Sequence, residues 1–159
     1  MIEDLLIEHK AGIQLGSFVL ALTALLICES LFQRRKFLYS RVTRVASNVG
    51  IAVFNNFLLH LSFPMLAFGA AYVAQSRGWG LFQALQWPGW AEIILTILLL
   101  DLGIYFQHVV FHKVPLLWRL HRTHHADLEL DVSSGIRFHP FEIQISMGIK
   151  IGFVLLLGA

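Results

Sequence analysis

From Trp90 to Asp127 the chain reads WAEIILTILLLDLGIYFQHVVFHKVPLLWRLHRTHHAD. Its first half is an apolar run of the length a bilayer requires, about 20 residues. Its second half carries His108, His112, His121, His124 and His125. A lipid-solvated helix therefore leads directly into a nitrogen-rich segment at the membrane boundary. Spacing limits what the histidines can do. On a helix turning by about 100° per residue, Asp101, Tyr105, His108 and His112 project within roughly 60° of one another and form one polar stripe. His108 and His112, four residues apart, can aim two imidazoles at one small volume, as a helical histidine pair does when it holds a metal. Pro115 disfavours an unbroken continuation of that helix. Beyond it His121, His124 and His125 share an arc of about 100° if the segment is helical.

The rest of the chain agrees with a membrane setting. Of 159 residues, 57% are hydrophobic and 14% charged, and the mean hydropathy is +0.68. That excludes a disordered tail, a coiled coil and a basic nucleic-acid-binding module, none of which can leave so much apolar surface without a polar face. Spans are expected at about 11–32, 48–74, 90–111 and 141–159. The expected fold is all-α: one membrane domain over 1–159, a bundle of about four transmembrane helices with a cytoplasmic, histidine-rich segment. Pro64 and the region of Gly69 are expected to bend the second span. The first span follows Glu3, Asp4 and Glu8 rather than a basic leader, so it is expected to stay attached.

Orientation follows from the cations. Arg34, Arg35, Lys36, Arg41 and Arg44 lie between the first two spans, and Lys113, Arg119, Arg122 and Arg137 between the last two; only Arg77 lies between the second and third. Basic loops stay on the cytoplasmic side, which puts the histidines there and Trp79, Trp87 and Trp90 at the opposite headgroup level. The net charge of +2 implies no particular partner, and the single cysteine, Cys28, can form no internal disulfide.

Neutral imidazole is a ligand for iron, zinc or copper, and five imidazoles with no cysteine nearby favour a nitrogen-rich transition-metal site. The H-E-x-x-H pattern, a Gly-rich phosphate loop and a G-x-S-x-G elbow are all absent. Asp101, an acid inside a span, is expected to need a partner, and orienting a liganding imidazole is its natural employment. Tyr105, on the same stripe, either joins that support or simply packs. His139, before Pro140 at the entry to the fourth span, can be a ligand, a donor behind the ligands or a helix cap, with the second favoured. Glu142 suits the first turn of that helix, near the positive end of its dipole. His9 is read as incidental, and His60 as a hydrogen-bonding partner of a neighbouring helix.

The boxes HVVFH (His108 to His112) and HRTHH (His121 to His125), joined by KVPLLWRL and followed by DLELDVSSGIRFHPFE, resemble the sterol desaturase and fatty acid hydroxylase superfamily of membrane-bound, non-haem di-iron oxygenases. RVTRVASNVG with Asn48, then Asn55 and Pro64, extends the likeness back to about Arg34. The resemblance implies two irons held by His108, His112, His121, His124 and His125, O2 as co-substrate, and attack on an unactivated C–H bond of a lipid, by hydroxylation or desaturation. With no flavin, nicotinamide or Fe–S motif in the sequence, it also implies an external electron donor, a reductase or small electron carrier. The family has a further H-x-x-H-H box downstream of the RFHPFE-like segment, and Ala159 comes before any such box. The chain is therefore expected to be the N-terminal part of a longer enzyme, with a partial metal site and no oxygenase activity of its own.

Two other classes compete with that reading. One is a non-catalytic membrane metal or haem binder, in which His60 pairs with His108 or His112. The other is a zinc-dependent membrane hydrolase using three histidines and an acid such as Asp127 or Glu142.

Overall fold

Apolar sequence says which segments belong in lipid, but prolines, glycines and capping groups decide where the helices stop. In the computed structural model, which describes residues 9–32, 39–85 and 87–158, α1 runs Lys10–Leu31 and α2 Arg41–Ser62. α3 is Leu66–Arg77, α4 Leu81–Leu85 and α5 Gly89–Lys113. α6 is Pro115–His121 and α7 Pro140–Leu157, with short 3-10 turns at His124–Ala126 and Val132–Ile136. No strand occurs among the described residues. Four helical stretches are long and apolar enough to cross a membrane: Gly12–Leu31, Arg41–Leu85, Gly89–Lys113 and Pro140–Leu157. Glu3, Asp4, Glu8, the Arg34–Arg35–Lys36 cluster and Ala159 lie outside the described residues.

The second apolar stretch, expected as one bent span over 48–74, is two helices. Phe63 N–H still reaches Leu59 O, but Pro64 offers no N–H and disfavours a helical residue before it, so the chain restarts at Leu66. α2 also begins earlier than its apolar part. Its first two turns are polar, and hydropathy marks the lipid-solvated length of a helix rather than its start.

The described residues divide into two compact units. The first comprises the residues up to Val49 and Asp127–Arg137. Here the polar face at the start of α2 is satisfied by the later segment. Arg44 pairs with Asp127 at 3.2 Å, and also meets Glu129 and Asp131. Asn48, fully buried, donates to Asp127 Oδ2 at 3.1 Å and Ser133 Oγ at 2.9 Å, and its Oδ1 accepts from Arg137 at 3.1 Å. Asp131 caps the Val132–Ile136 turn through a capping box with Ser134. Burial alone would raise the pKa of Asp127. Hydrogen bonds from Ser134, Asn48 and the Glu129 N–H, with the Arg44 charge, outweigh it and hold the carboxyl below its usual range.

The second unit, Gly50–Ala126 with Phe138 onward, contains His108, His112, His121, His124 and His125. α3 packs along α7, and just beyond α3 two glycines let the chain segments approach closely. A Cβ on Gly80, whose φ is +107°, would sit 2.2 Å from Gly158 N, and one on Gly158 would sit 2.3 Å from Trp79 O. α5 packs on α7 where Gly103 admits the Phe153 ring and Gln107 donates to Ser146. Small residues at helix contacts and polar bonds between helices are how membrane helices associate where burial of apolar surface offers little drive. Among the described residues the buried hydrophobics are Ala74, Phe82, Phe111, Val154 and Leu157, while side chains such as Ile93, Ile97 and Leu98 stay exposed. Such a thin core suits a protein whose apolar faces are solvated by lipid.

Candidate metal centre

α5 carries His108 and His112 on one face near its C-terminal end, and their Nε2 atoms lie 3.1 Å apart. The helix stops at Val114, which is extended (φ −93°, ψ 116°), and Pro115 occupies the first position of α6. Proline there loses nothing, because its missing N–H would have had no helical partner. The break turns the chain back, so that α6 packs on α5 and brings in His121. His125 follows from the 3-10 turn, with its Nε2 3.2 Å from that of His121. One ring nitrogen from each of His108, His112, His121 and His125 lies within 4.8 Å of the other three. The His121 ring stands 4.6 Å from that of His108 and 4.8 Å from that of His112.

These distances suit a metal. Imidazole nitrogens bound at about 2.1 Å stand roughly 3.0–3.4 Å apart when they occupy adjacent positions around one ion. The two Nε2 pairs already have that separation, and the wider spread closes with small ring rotations. Lone pairs facing one another at such range are unfavourable unless a proton or a cation lies between them. The donor set is all nitrogen, as the spacing anticipated, and suits iron, zinc or copper.

Burial is one-sided. His121 is 1% exposed and packs against Phe111, while His108, His112 and His125 remain exposed on the other side. Trp118 flanks the open side, 5.2 Å from His112 and 5.7 Å from His125. Burial, and then the neighbouring His112 and His124, lower the pKa of His121. Burial followed by His121, His124, His112 and His108 does the same for His125. Both rings are therefore neutral near pH 7, the form that binds a metal. The Nδ1 of His121 lies 2.7 Å from Glu142 Oε1.

The other expected residues lie elsewhere. His124 is not among the four: its ring lies flat on Phe138, with centroids 4.6 Å apart and planes at 2°. Asp101 and Tyr105 are exposed, and among the described residues neither hydrogen-bonds to a histidine. The stripe gave their angle but not their rise: Asp101 is seven residues before His108, about 10 Å along the axis at 1.5 Å per residue. Tyr105 stands edge-on to Phe106 instead. Of the three roles open to His139, the structure places it in the cap: its Nδ1 accepts the Phe141 N–H at 3.2 Å. His60 bonds Asn56 O of its own helix at 3.0 Å rather than a neighbouring helix. His9, exposed, precedes α1 without capping it. Of the acids considered for a zinc-bound water, Asp127 is committed to Arg44, Asn48 and Ser134, and Glu142 to His121.

Sequence reasoning did not pair Glu142 with a histidine or place Trp118 against the cluster. The available signal was an acid in the first turn of a span otherwise free of acids, which has reason to be there beyond the helix dipole.

Residues 93–159 match the family model described as fatty acid hydroxylase. Over 98 residues, 62% of this chain, the sequence is 32% identical to the ornithine lipid hydroxylase OlsE of Rhizobium tropici, covering 29% of that protein. Over 45 residues, 27% of the chain, it is 40% identical to the fatty acid hydroxylase vlmA of Lecanicillium sp, covering 12% of it. The chain thus spans less than a third of the length of either curated relative. No solved structure matches.

Proposed function

We propose that the chain belongs, through residues 93–159, to the fatty acid hydroxylase family whose model those residues match, and that it forms part of an iron- and O2-dependent membrane enzyme that hydroxylates a lipid. The observation that carries this is the convergence of four imidazole nitrogens within 4.8 Å on two helices set by the turn at Pro115. The family is generally iron-dependent, and a nitrogen-rich donor set with an exposed side suits an ion that must leave positions open for a reactant. Iron held there supplies the activation of O2 needed to oxidise an unactivated C–H bond.

The chain's own residues do the rest. His108, His112, His121 and His125 are assigned as ligands. His124, with its ring 5.6 Å from that of His121 and 5.1 Å from that of His125, is the residue on this chain nearest to serving a second iron. The apolar faces of the spans offer an acyl chain a dry approach, which restrains side reactions with water. The two relatives are named for an ornithine lipid and a fatty acid, so a lipid with an acyl chain is the substrate class assigned. Electrons come from an external carrier, and the cation distribution supports a cytoplasmic position for the histidines.

The test is the metal content of protein purified from iron-supplemented cells, with hydroxylated lipids measured by mass spectrometry in cells making the protein. Nitrogen-bound, non-haem iron that His112→Ala abolishes is expected from the chain itself, and an O2-dependent hydroxylated lipid only where the chain is part of the longer enzyme. Zinc alone, or an intense Soret band, would transfer the site to a hydrolase or a haem binder.

A further inference from the structure

Glu142 is 4% exposed, occupies the first turn of α7, and its Oε1 lies 2.7 Å from the Nδ1 of His121. Its other oxygen, Oε2, is buried and closes no hydrogen bond. An acid three residues into a helix ordinarily stabilises the free backbone N–H groups of the first turn. Here His139 already receives the Phe141 N–H, and Glu142 reaches across to another element.

That contact has a chemical consequence. A neutral imidazole carries one N–H, and the nitrogen without it is the only one able to bind a metal. A carboxylate accepting the Nδ1–H leaves Nε2 bare, and His121 Nε2 is the atom that faces His125 Nε2 at 3.2 Å. Among the described residues, no other carboxylate is hydrogen-bonded to a member of the cluster. We propose that Glu142 is the positioning residue of this centre: it fixes the tautomer and the ring plane of His121, and sets a buried carboxyl group beside the four imidazoles. The inference rests on the reading of His108, His112, His121 and His125 as metal ligands.

Glu142→Leu and Glu142→Gln separate the two contributions. Leucine removes the acceptor and the carboxyl group; glutamine keeps a carbonyl that accepts the Nδ1–H and removes only the carboxyl group. Histidine partners behind a metal are worth about 10–100-fold in affinity. Binding of Co2+ by the full chain in detergent, measured by chelator competition, is therefore expected to weaken about 10–100-fold in Glu142→Leu and by less in Glu142→Gln. In parallel, 15N shifts of the metal-free protein are expected to show His121 as the Nδ1–H tautomer in wild type and Glu142→Gln, and as a mixture in Glu142→Leu. A merely structural residue would leave the tautomer unmoved. Unchanged affinity and tautomer in both variants, while His112→Ala loses the metal, would overturn the role of Glu142 alone. Unchanged affinity in His112→Ala as well would overturn the metal reading and this inference with it. Should Glu142→Leu fail to fold, the tautomer and the smaller affinity loss of Glu142→Gln decide.

Discussion

Replacing Asn48 by alanine tests the polar clasp between the start of α2 and the segment 127–137. The side chain is fully buried and makes three hydrogen bonds, to Asp127, Ser133 and Arg137, two of them to charged partners. A hydrogen bond to a charged group contributes about 1.5–3 kcal/mol net and a neutral one about 1 kcal/mol, which sums to roughly 4–7 kcal/mol. The full sum is not expected. Asp127 keeps Ser134 and Arg44, and water can enter the space a truncated side chain leaves. Half the lower bound to half the upper, about 2–3.5 kcal/mol, is the expected cost, or roughly 30- to 400-fold in the local opening equilibrium at about 1.4 kcal/mol per factor of ten. The assay is amide hydrogen exchange in detergent. The N–H of Ser133, held by Asp131 Oδ1 at 2.8 Å, and that of Ser134, held by Asp131 O at 3.0 Å, report the opening of the segment. Exchange at those amides should accelerate by that factor, while amides in the middle of α5 change little. An acceleration below about threefold would refute the clasp as a source of stability.

The same clasp sets a pH dependence. Asp127 has its folded pKa below its unfolded value, so its contribution is present above the unfolded pKa, near 4, and is lost as pH falls through the depressed folded value. Protection at Ser133 and Ser134, taken relative to the intrinsic exchange rate at each pH, should fall on acidification below about pH 4, and less steeply in Asp127→Asn. Gly80→Ala places a Cβ 2.2 Å from the Gly158 backbone in a positive-φ residue and should cost more than about 3 kcal/mol in a thermal melt. Gly12→Ala, with nothing within 4 Å, should be neutral or stabilising by up to about 1 kcal/mol in the same melt. Gly103→Val drives a side chain into the Phe153 ring, 2.8 Å from a Cβ there, and should lower the melting temperature by separating α5 from α7.

Much of this architecture was legible because it is local. Apolar runs announce lipid-solvated helices, Pro64 and Pro115 announce breaks, and a four-residue spacing puts His108 and His112 on one face whatever surrounds them. Less legible were the places where angle was known and distance was not. Asp101 and Tyr105 share the stripe of His108 and His112, yet Asp101 lies about 10 Å away along the axis. His124 turns its ring onto Phe138, fourteen positions on, a contact that the histidine spacing does not record. The clasp was invisible for a different reason. Asn48 meets residues between Asp127 and Arg137, 79 to 89 positions away, and no periodicity in the chain records such a contact. Glu142 had a sufficient local explanation at a helix start, which hid its long-range partner.

The central claim is that imidazoles from α5, from α6 and from the turn after it surround one metal ion. X-ray absorption on the chain loaded anaerobically with Fe2+ addresses it directly. Scattering from three or four imidazoles with metal–nitrogen distances of about 2.1 Å is predicted, one imidazole being lost in each of His108→Ala, His112→Ala, His121→Ala and His125→Ala. An oxygen-only coordination sphere, or one indifferent to all four substitutions, would contradict it.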